Sequence, residues 1–300
     1  MLKRIGMCFL LGLLKSLARL PYGLVARLGD GLGWALYWVP GRRRHIVRVN
    51  LAQCFPDLTE RQLDVLVQQH FRCAIRSYVE RSFQWFGSIE QLERLVQVDS
   101  EIDLHSNDLP ASLLLLGFHF VGQEIGAILI GRLLGRECCG LYQTFPDSTL
   151  EAVAKAARSR LGLEIANRTN GGQKTLRWLR EGKSVALAPD MDFGPRNSTF
   201  VPFFGVSACT LTSVGRLARI SGAPVVPFTV EVLPKYRGYR LKIFKPLQNF
   251  PADNDDENAR RMNDFLEQQV LTMREQYYWM HRRFKTRPPG EPDFYARSRA

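Results

Sequence analysis

Residues 113–117 (LLLLG) form an apolar run closed by glycine. It is too short for a helix and right for a strand buried on both faces, as in a parallel sheet. A strand over Leu113–His119 is expected, handing over to a helix over Val121–Leu134. From Ser112 onward the same switching recurs. Strands are expected at Cys138–Gln143, Glu164–Asn167, Ser184–Ala188, Val225–Val232 and Arg240–Phe244, with an extended apolar run at Phe200–Phe204. Helices are expected at Thr149–Leu161, Gln173–Arg180 (stopped by Gly182), Leu211–Ile220 and Asp256–Met280. This alternation predicts an α/β fold built on a mixed, largely parallel sheet flanked by helices. Upstream, Thr59 and Gln62 make a capping box ahead of the helical stripe Leu63, Leu66, Val67, His70 and Phe71.

The N-terminal pattern is different. Ile5–Leu14 and Gly31–Pro40 are apolar, each about ten residues long, whereas a spanning helix needs about twenty. Lys15, Arg19, Arg27 and Asp30 interrupt any longer run, and Trp34, Tyr37 and Trp38 cluster before the basic Arg42–Arg44. Apolar faces, interleaved basic residues and aromatics describe helices lying in a bilayer interface, with Arg42–Arg44 toward the headgroups. A tilted single span is the alternative. Lys3, Arg4 and the small residues Ser16 and Ala18 formally fit a cleaved leader, but a second apolar run coming at once argues against one. Residues 1–40 are thus expected as a membrane-anchoring helical segment and residues 41–300 as the functional domain.

Charge supports this division. The net charge of +12 is concentrated at the ends: residues 1–50 carry nine Lys/Arg against Asp30 alone, and residues 281–300 carry six, including Arg297 and Arg299, against Glu291 and Asp293. Basic ends on a neutral body suit a polyanionic surface, either nucleic acid or an anionic membrane. Interleaving with Leu, Trp and Tyr favours the membrane, and no nucleic-acid fold signature accompanies the charge. The six cysteines show no CxxC spacing, which suggests reduced thiols. The five histidines (His45, His70, His105, His119, His281) lack metal-ligand spacing, so no metal is expected.

The candidate chemistry sits where the first strand ends. His119 lies at a strand-to-helix handover, the place where open α/β sheets put their chemistry. Glu124 comes five residues later, a rotation of about 140° on one helix, so the two meet only across the strand–helix boundary. There a carboxylate fixes the imidazole tautomer and stabilises the imidazolium, making a general base for a hydroxyl. The competing reading is a hydrogen-bonded core histidine with a glutamate favoured by the helix dipole. In Ala188–Gly205 (APDMDFGPRNSTFVPFFG), Asp190 and Asp192 come after another strand, with Arg196 nearby; they are turn and cap residues, or they hold Arg168 or orient a substrate over His119. Gly29, Gly31 and Gly33 give GxGxG with no strand before it and read as helix-packing glycines. Asn170–Thr175 (NGGQKT) lacks a phosphate-loop frame.

Taken together, GFHFVGQE, APDMDFG, FVPFFG, GRLARISGAPVVP and YYWMHRRFKTRPPG resemble the bacterial lipid A biosynthesis acyltransferases, late lauroyl or myristoyl transferases of the lysophospholipid acyltransferase superfamily. The resemblance covers nearly the whole chain and implies a glycerol-3-phosphate acyltransferase-like α/β fold. It gives the HX4E motif to His119 and Glu124 as catalytic base and partner, and places Arg168 and Asp190 around substrate. Met191 stands where many relatives have Gln, and Gln123 where they have Trp, which bears on subfamily and acyl preference. It implies transfer of a fatty acyl chain from acyl carrier protein to a hydroxyl of a lipid A precursor, at the cytoplasmic face of the inner membrane and without a cofactor. Backbone N–H groups of Val121, Gly122 and Gln123, at a helix N-terminus, are the expected oxyanion donors. Arg282, Arg283 and Lys285 are expected to meet lipid phosphates or the acidic carrier. The alternatives are a glycerolipid or ornithine-lipid acyltransferase using the same dyad and, in another class, a basic nucleic-acid-binding protein.

Overall fold

The computed structural model describes residues 2–104, 106, 108–160, 162–169 and 171–296. His105, Leu161, Asn170, Arg297 and Arg299 lie outside these residues, as do the side chains of Lys3, Arg4 and Ile5. In chain order the elements are α1 (Leu2–Leu17), α2 (Tyr22–Tyr37), α3 (Arg42–Cys54), α4 (Glu60–Val79), α5 (Arg81–Phe86), α6 (Ile89–Leu95), β1 (Val96–Ser100), β2 (Leu114–Leu116), α7 (Gln123–Leu134), β3 (Cys138–Tyr142), α8 (Ser148–Ser159), β4 (Glu164–Asn167), α9 (Gly171–Arg180), β5 (Ser184–Leu187), β6 (Ser198–Phe203), β7 (Val206–Leu211), α10 (Ser213–Ser221), β8 (Val225–Val232), β9 (Tyr239–Ile243) and α11 (Asp255–Thr272).

Seven strands form the main sheet in the order β1-β9-β8-β2-β5-β3-β4, parallel at every pairing except β8 with β9. The expected mixed, largely parallel sheet flanked by helices is therefore present. Its centre is β2, whose three leucines are all buried and pair with β5 on one side and β8 on the other. Apolar residues on both faces are what a sheet covered on both faces requires. Phe200 lies in β6, which pairs with β7 as a separate antiparallel hairpin. The expected helix at Asp256–Met280 ends early, at Thr272. A short 3-10 turn at Arg274–Gln276 then leads into an extended segment through Tyr277 and Tyr278.

Two elements near the N-terminus position the site. The Thr59 capping box starts α4 as expected, with Thr59 and Gln62 each bonding the other's backbone N–H. Helix α2 then packs along α4 at very short range. A Cβ on Gly33 would fall 2.6 Å from the Arg72 Cα and one on Gly29 2.8 Å from the Arg76 Cα, whereas one on Gly31 would meet nothing within 4 Å. Gly29 and Gly33 are packing glycines, spaced by one turn on one helix face.

Polar groups fasten the same contact. Asp30 pairs with Arg72. Glu80 accepts from Tyr22 (2.8 Å), Arg76 (2.6 Å) and Tyr239 of β9 (2.6 Å). Val25 and Ala26 are completely buried. Helix α2 thus shares the body's core. The opposite faces of α1 and α2 expose Phe9, Leu10, Leu13, Leu24, Leu28, Leu32 and Trp34, and Trp38 is exposed just after α2. Among the described residues, no helix is long and apolar enough to cross a membrane.

Candidate active site

Strands β2 and β5 run side by side with Leu116 set against Leu187, and the Gly117 N–H adds a bond to the Leu187 carbonyl at 2.8 Å where the strands end. His119 and Asp190 each lie three residues beyond those partners, and the aligned extensions bring their side chains together. His119 Nδ1 is 2.7 Å from Asp190 Oδ1, and the His119 backbone N–H donates to Oδ2 at 3.0 Å. The Asp190 carboxylate is 1% exposed, while the imidazole retains 26%. Among the described residues, Nε2 has no hydrogen-bond partner, and it is not enclosed. The strand end is clamped from the C-terminal segment: the Tyr278 N–H donates to the His119 carbonyl at 2.8 Å, and Phe120 bridges to Tyr277.

Electrostatics favour a charged Asp190. Burial by itself would raise its pKa, but the charge and two hydrogen bonds of His119, helped by His281, hold it at about 2. A second histidine therefore stands close to the same carboxylate. His281 shares its Nδ1 with the Tyr278 carbonyl at 2.6 Å, and burial, with smaller contributions from Arg283 and His119, lowers its pKa to about 4. It stays neutral near pH 7 and leaves the charge of Asp190 to His119. The Tyr277 hydroxyl is buried beside Asp190.

Glu124 is engaged elsewhere. It occupies the first turn of α7, as expected, and among the described residues no hydrogen bond joins its carboxylate to the imidazole. Arg158 of α8 donates to both its oxygens, Nε at 2.9 Å and NH2 at 2.8 Å, and the Trp85 indole donates at 3.2 Å. Both partners of this ion pair are 14% exposed. Burial alone would raise the pKa of Glu124, yet Arg158 first, then Arg81 and the indole, bring it below the ordinary carboxylate range. The hydrogen-bonded partner of His119 is Asp190, carried to it by the neighbouring strand, while Glu124 is hydrogen-bonded to Arg158 and Trp85.

The three expected oxyanion donors separate in the same way. The Val121 N–H is given to the Gln276 carbonyl at 2.8 Å and the Gln123 N–H to the Phe120 carbonyl at 3.0 Å. Among the described residues, the Gly122 N–H has no acceptor. Asp192 is buried and structural: it accepts from the Gly194 N–H at 2.9 Å and from the Thr286 hydroxyl at 2.8 Å, tying its loop to the C-terminal segment. Arg168 is exposed, with its guanidinium 4.9 Å from the centre of the Phe193 ring, and Arg196 is exposed in the next turn. Arg283 is fully buried, donating to the Cys209 carbonyl at 2.9 Å and to Thr210 at 3.0 Å, so it is not free to meet a phosphate. Arg282 pairs with Asp293. Among the described residues, no cluster of His, Cys, Asp and Glu is arranged to hold a metal.

The family described as bacterial lipid A biosynthesis acyltransferase matches residues 1–286. The chain belongs to this family. Among similar proteins, the lipid A biosynthesis lauroyltransferase of Escherichia coli K12 is 34% identical over 289 residues, covering 95% of this chain and 93% of that protein. The palmitoleoyltransferase of the same organism is 31% identical over 293 residues (96% and 93%), and its myristoyltransferase 28% over 275 residues (91% and 84%). The protein is thus an acyltransferase, and its site residues can be read for that chemistry. Four neighbours of the site, Arg158, Trp85, Tyr277 and His281, do not stand out in the sequence. Arg158 carries no signal there, being 34 positions from the carboxylate it grips. His281 lies in a motif, YYWMHRRF, whose only legible feature is resemblance.

Proposed function

We propose that the protein transfers a fatty acyl chain from an acyl carrier protein thioester to a hydroxyl of a lipid A precursor, the secondary acylation of lipid A biosynthesis. The observation that carries the mechanism is the buried Asp190 carboxylate on His119 Nδ1. An ionised Asp190 keeps the proton of neutral His119 on Nδ1, so Nε2 presents its lone pair to the acceptor hydroxyl. As the hydroxyl oxygen attacks the thioester carbonyl, its proton passes to Nε2 and Asp190 balances the imidazolium. The tetrahedral oxyanion is met by the Gly122 N–H. Collapse breaks the C–S bond, and the departing thiolate recovers the proton from Nε2, leaving ester and free carrier thiol. The Glu124–Arg158 pair forms a fixed charged wall beside the base.

An acyl-cysteine route has little support. Burial pushes the thiols of Cys138 and Cys139 up to about 12, so neither is a thiolate at neutral pH. The exposed apolar face of α1 and α2, bordered by Lys15, Arg19 and Arg42, supports a helical pair lying in the plane of the inner membrane at its cytoplasmic side. Each of these helices has 16 residues, about 24 Å at 1.5 Å per residue, short of the about 30 Å hydrocarbon core. The test is mass spectrometry of lipid A from cells with and without the gene, with in vitro transfer from acyl carrier protein. One additional acyl chain in the presence of the protein is the expected result. An unchanged spectrum where the protein is expressed would overturn the acceptor assignment.

A further inference from the structure

One cationic corner beside His119 has no part in the acyl-transfer steps. Arg81, at the start of α5, makes no hydrogen bond or ion pair among the described residues. Its guanidinium is held by two ring faces, 4.9 Å from the centre of Tyr78 and 5.3 Å from that of Trp85. Each ring links it to the site: the Trp85 indole donates to Glu124, and the Tyr78 hydroxyl lies 2.6 Å from that of Tyr278, whose N–H holds the His119 carbonyl. On the other side, Arg43 reaches across from α3 to the Met280 carbonyl at 2.7 Å, and the Tyr278 phenol feels both Arg43 and Arg81.

Charge in this corner does not balance. Arg158 engages Glu124 through both oxygens and also feels Glu151, Arg81 stands near Glu124, and Arg43 joins Arg81 at the Tyr278 phenol, so three guanidinium groups face two carboxylates. Of two hydroxyls sharing one hydrogen bond, one O–H remains free to donate outward. Fixed guanidinium donors with a free hydroxyl beside them match the oxygens of a phosphate ester. Resting on the acyltransfer reading, we propose that Arg81 and Arg43, with the Tyr78–Tyr278 hydroxyl pair, form a receptor for a substrate phosphate beside His119. The phosphate belongs either to the glycolipid acceptor or to the pantetheine arm of the acyl donor.

The test compares wild type with Arg81→Met, which keeps the aliphatic stem against Trp85, and Arg81→Lys, which keeps the charge; thermal melts check folding. Transfer is measured with phosphorylated and dephosphorylated acceptor, and with acyl carrier protein against an acyl-N-acetylcysteamine thioester that has no phosphate. Loss of a charge-assisted hydrogen bond should lower kcat/KM for Arg81→Met by about tenfold or more, mainly through KM. The deficit should vanish when the phosphate is removed from one of the two substrates, which identifies its source, and Arg81→Lys should fall between. An equal deficit with and without phosphate on both substrates, or no deficit, would overturn the receptor. Calorimetric binding of glucosamine 1-phosphate needs no turnover. If wild type binds it, Arg81→Met does not, and no lipid A precursor is acylated, the acyltransfer reading fails and the receptor stands.

Discussion

Glu124 and Arg158 are each 14% exposed and joined by two hydrogen bonds, so removing either partner leaves a nearly buried charge alone. At 2.8 Å and an effective dielectric constant of about 20, the Coulomb attraction is about 6 kcal/mol before desolvation is subtracted. Breaking such a pair typically costs about 3–5 kcal/mol. The two single variants should differ. Glu124→Gln takes from Arg158 the carboxylate that accepts both its hydrogen bonds, leaving the Coulombic pull of Glu151 and the Tyr142 and Phe145 rings, 5.8 and 5.9 Å away, and belongs at the upper end. Arg158→Met leaves Glu124 with the Trp85 indole and Arg81 nearby, and belongs at the lower end. The double variant strands neither charge, so its cost should fall short of the sum by about 0.5–3 kcal/mol. Urea unfolding in detergent, monitored by tryptophan fluorescence, measures all three. Singles as stable as wild type, or costs that simply add, would refute the reasoning. The sign of the pH effect comes from the lowered pKa of Glu124: its contribution is full above the ordinary carboxylate range and is lost as pH falls through the folded value.

Gly33→Ala should destabilise by about 1–3 kcal/mol through overpacking, because its Cβ would fall 2.6 Å from α4 backbone atoms. Gly31→Ala, with open space around it, should be neutral or gain up to about 1 kcal/mol of helix propensity; chemical melts of the two should separate. Leu24→Glu with Leu28→Glu, on the exposed face of α2, should weaken sedimentation with anionic phospholipid vesicles without changing the melt, and unchanged sedimentation would remove the in-plane reading. Cys139→Ala should keep near-wild-type turnover, and a trapped acyl-cysteine would contradict that.

The order of strands and helices from residue 112 is legible because each strand buried on both faces is a short apolar run; Val225–Val232 and Glu164–Asn167 match to the residue. Strand β1 is not legible, since its five side chains (VQVDS) are at most partly buried and it joins the sheet only by pairing with β9. His119 is legible at its strand end. Its partner is not, because the proximity of Asp190 comes from the β2–β5 register, 71 positions away in sequence. Spacing along the chain points to Glu124, the nearest carboxylate in sequence, while pairing across the sheet selects Asp190. Gly29 and Gly33 read correctly as packing residues, but which helix they meet is a tertiary fact, and Gly31 faces open space.

The central claim is that Asp190 holds His119 in its basic tautomer. It is tested most directly by the turnover of Asp190→Asn with acyl carrier protein thioester and lipid A precursor, on protein shown by its melt to be folded. The amide can donate to Nδ1 and move the ring proton to Nε2, so kcat should fall by about 10⁴-fold, approaching the effect of His119→Ala. Folded Asp190→Asn turning over at a rate close to wild type would contradict the account.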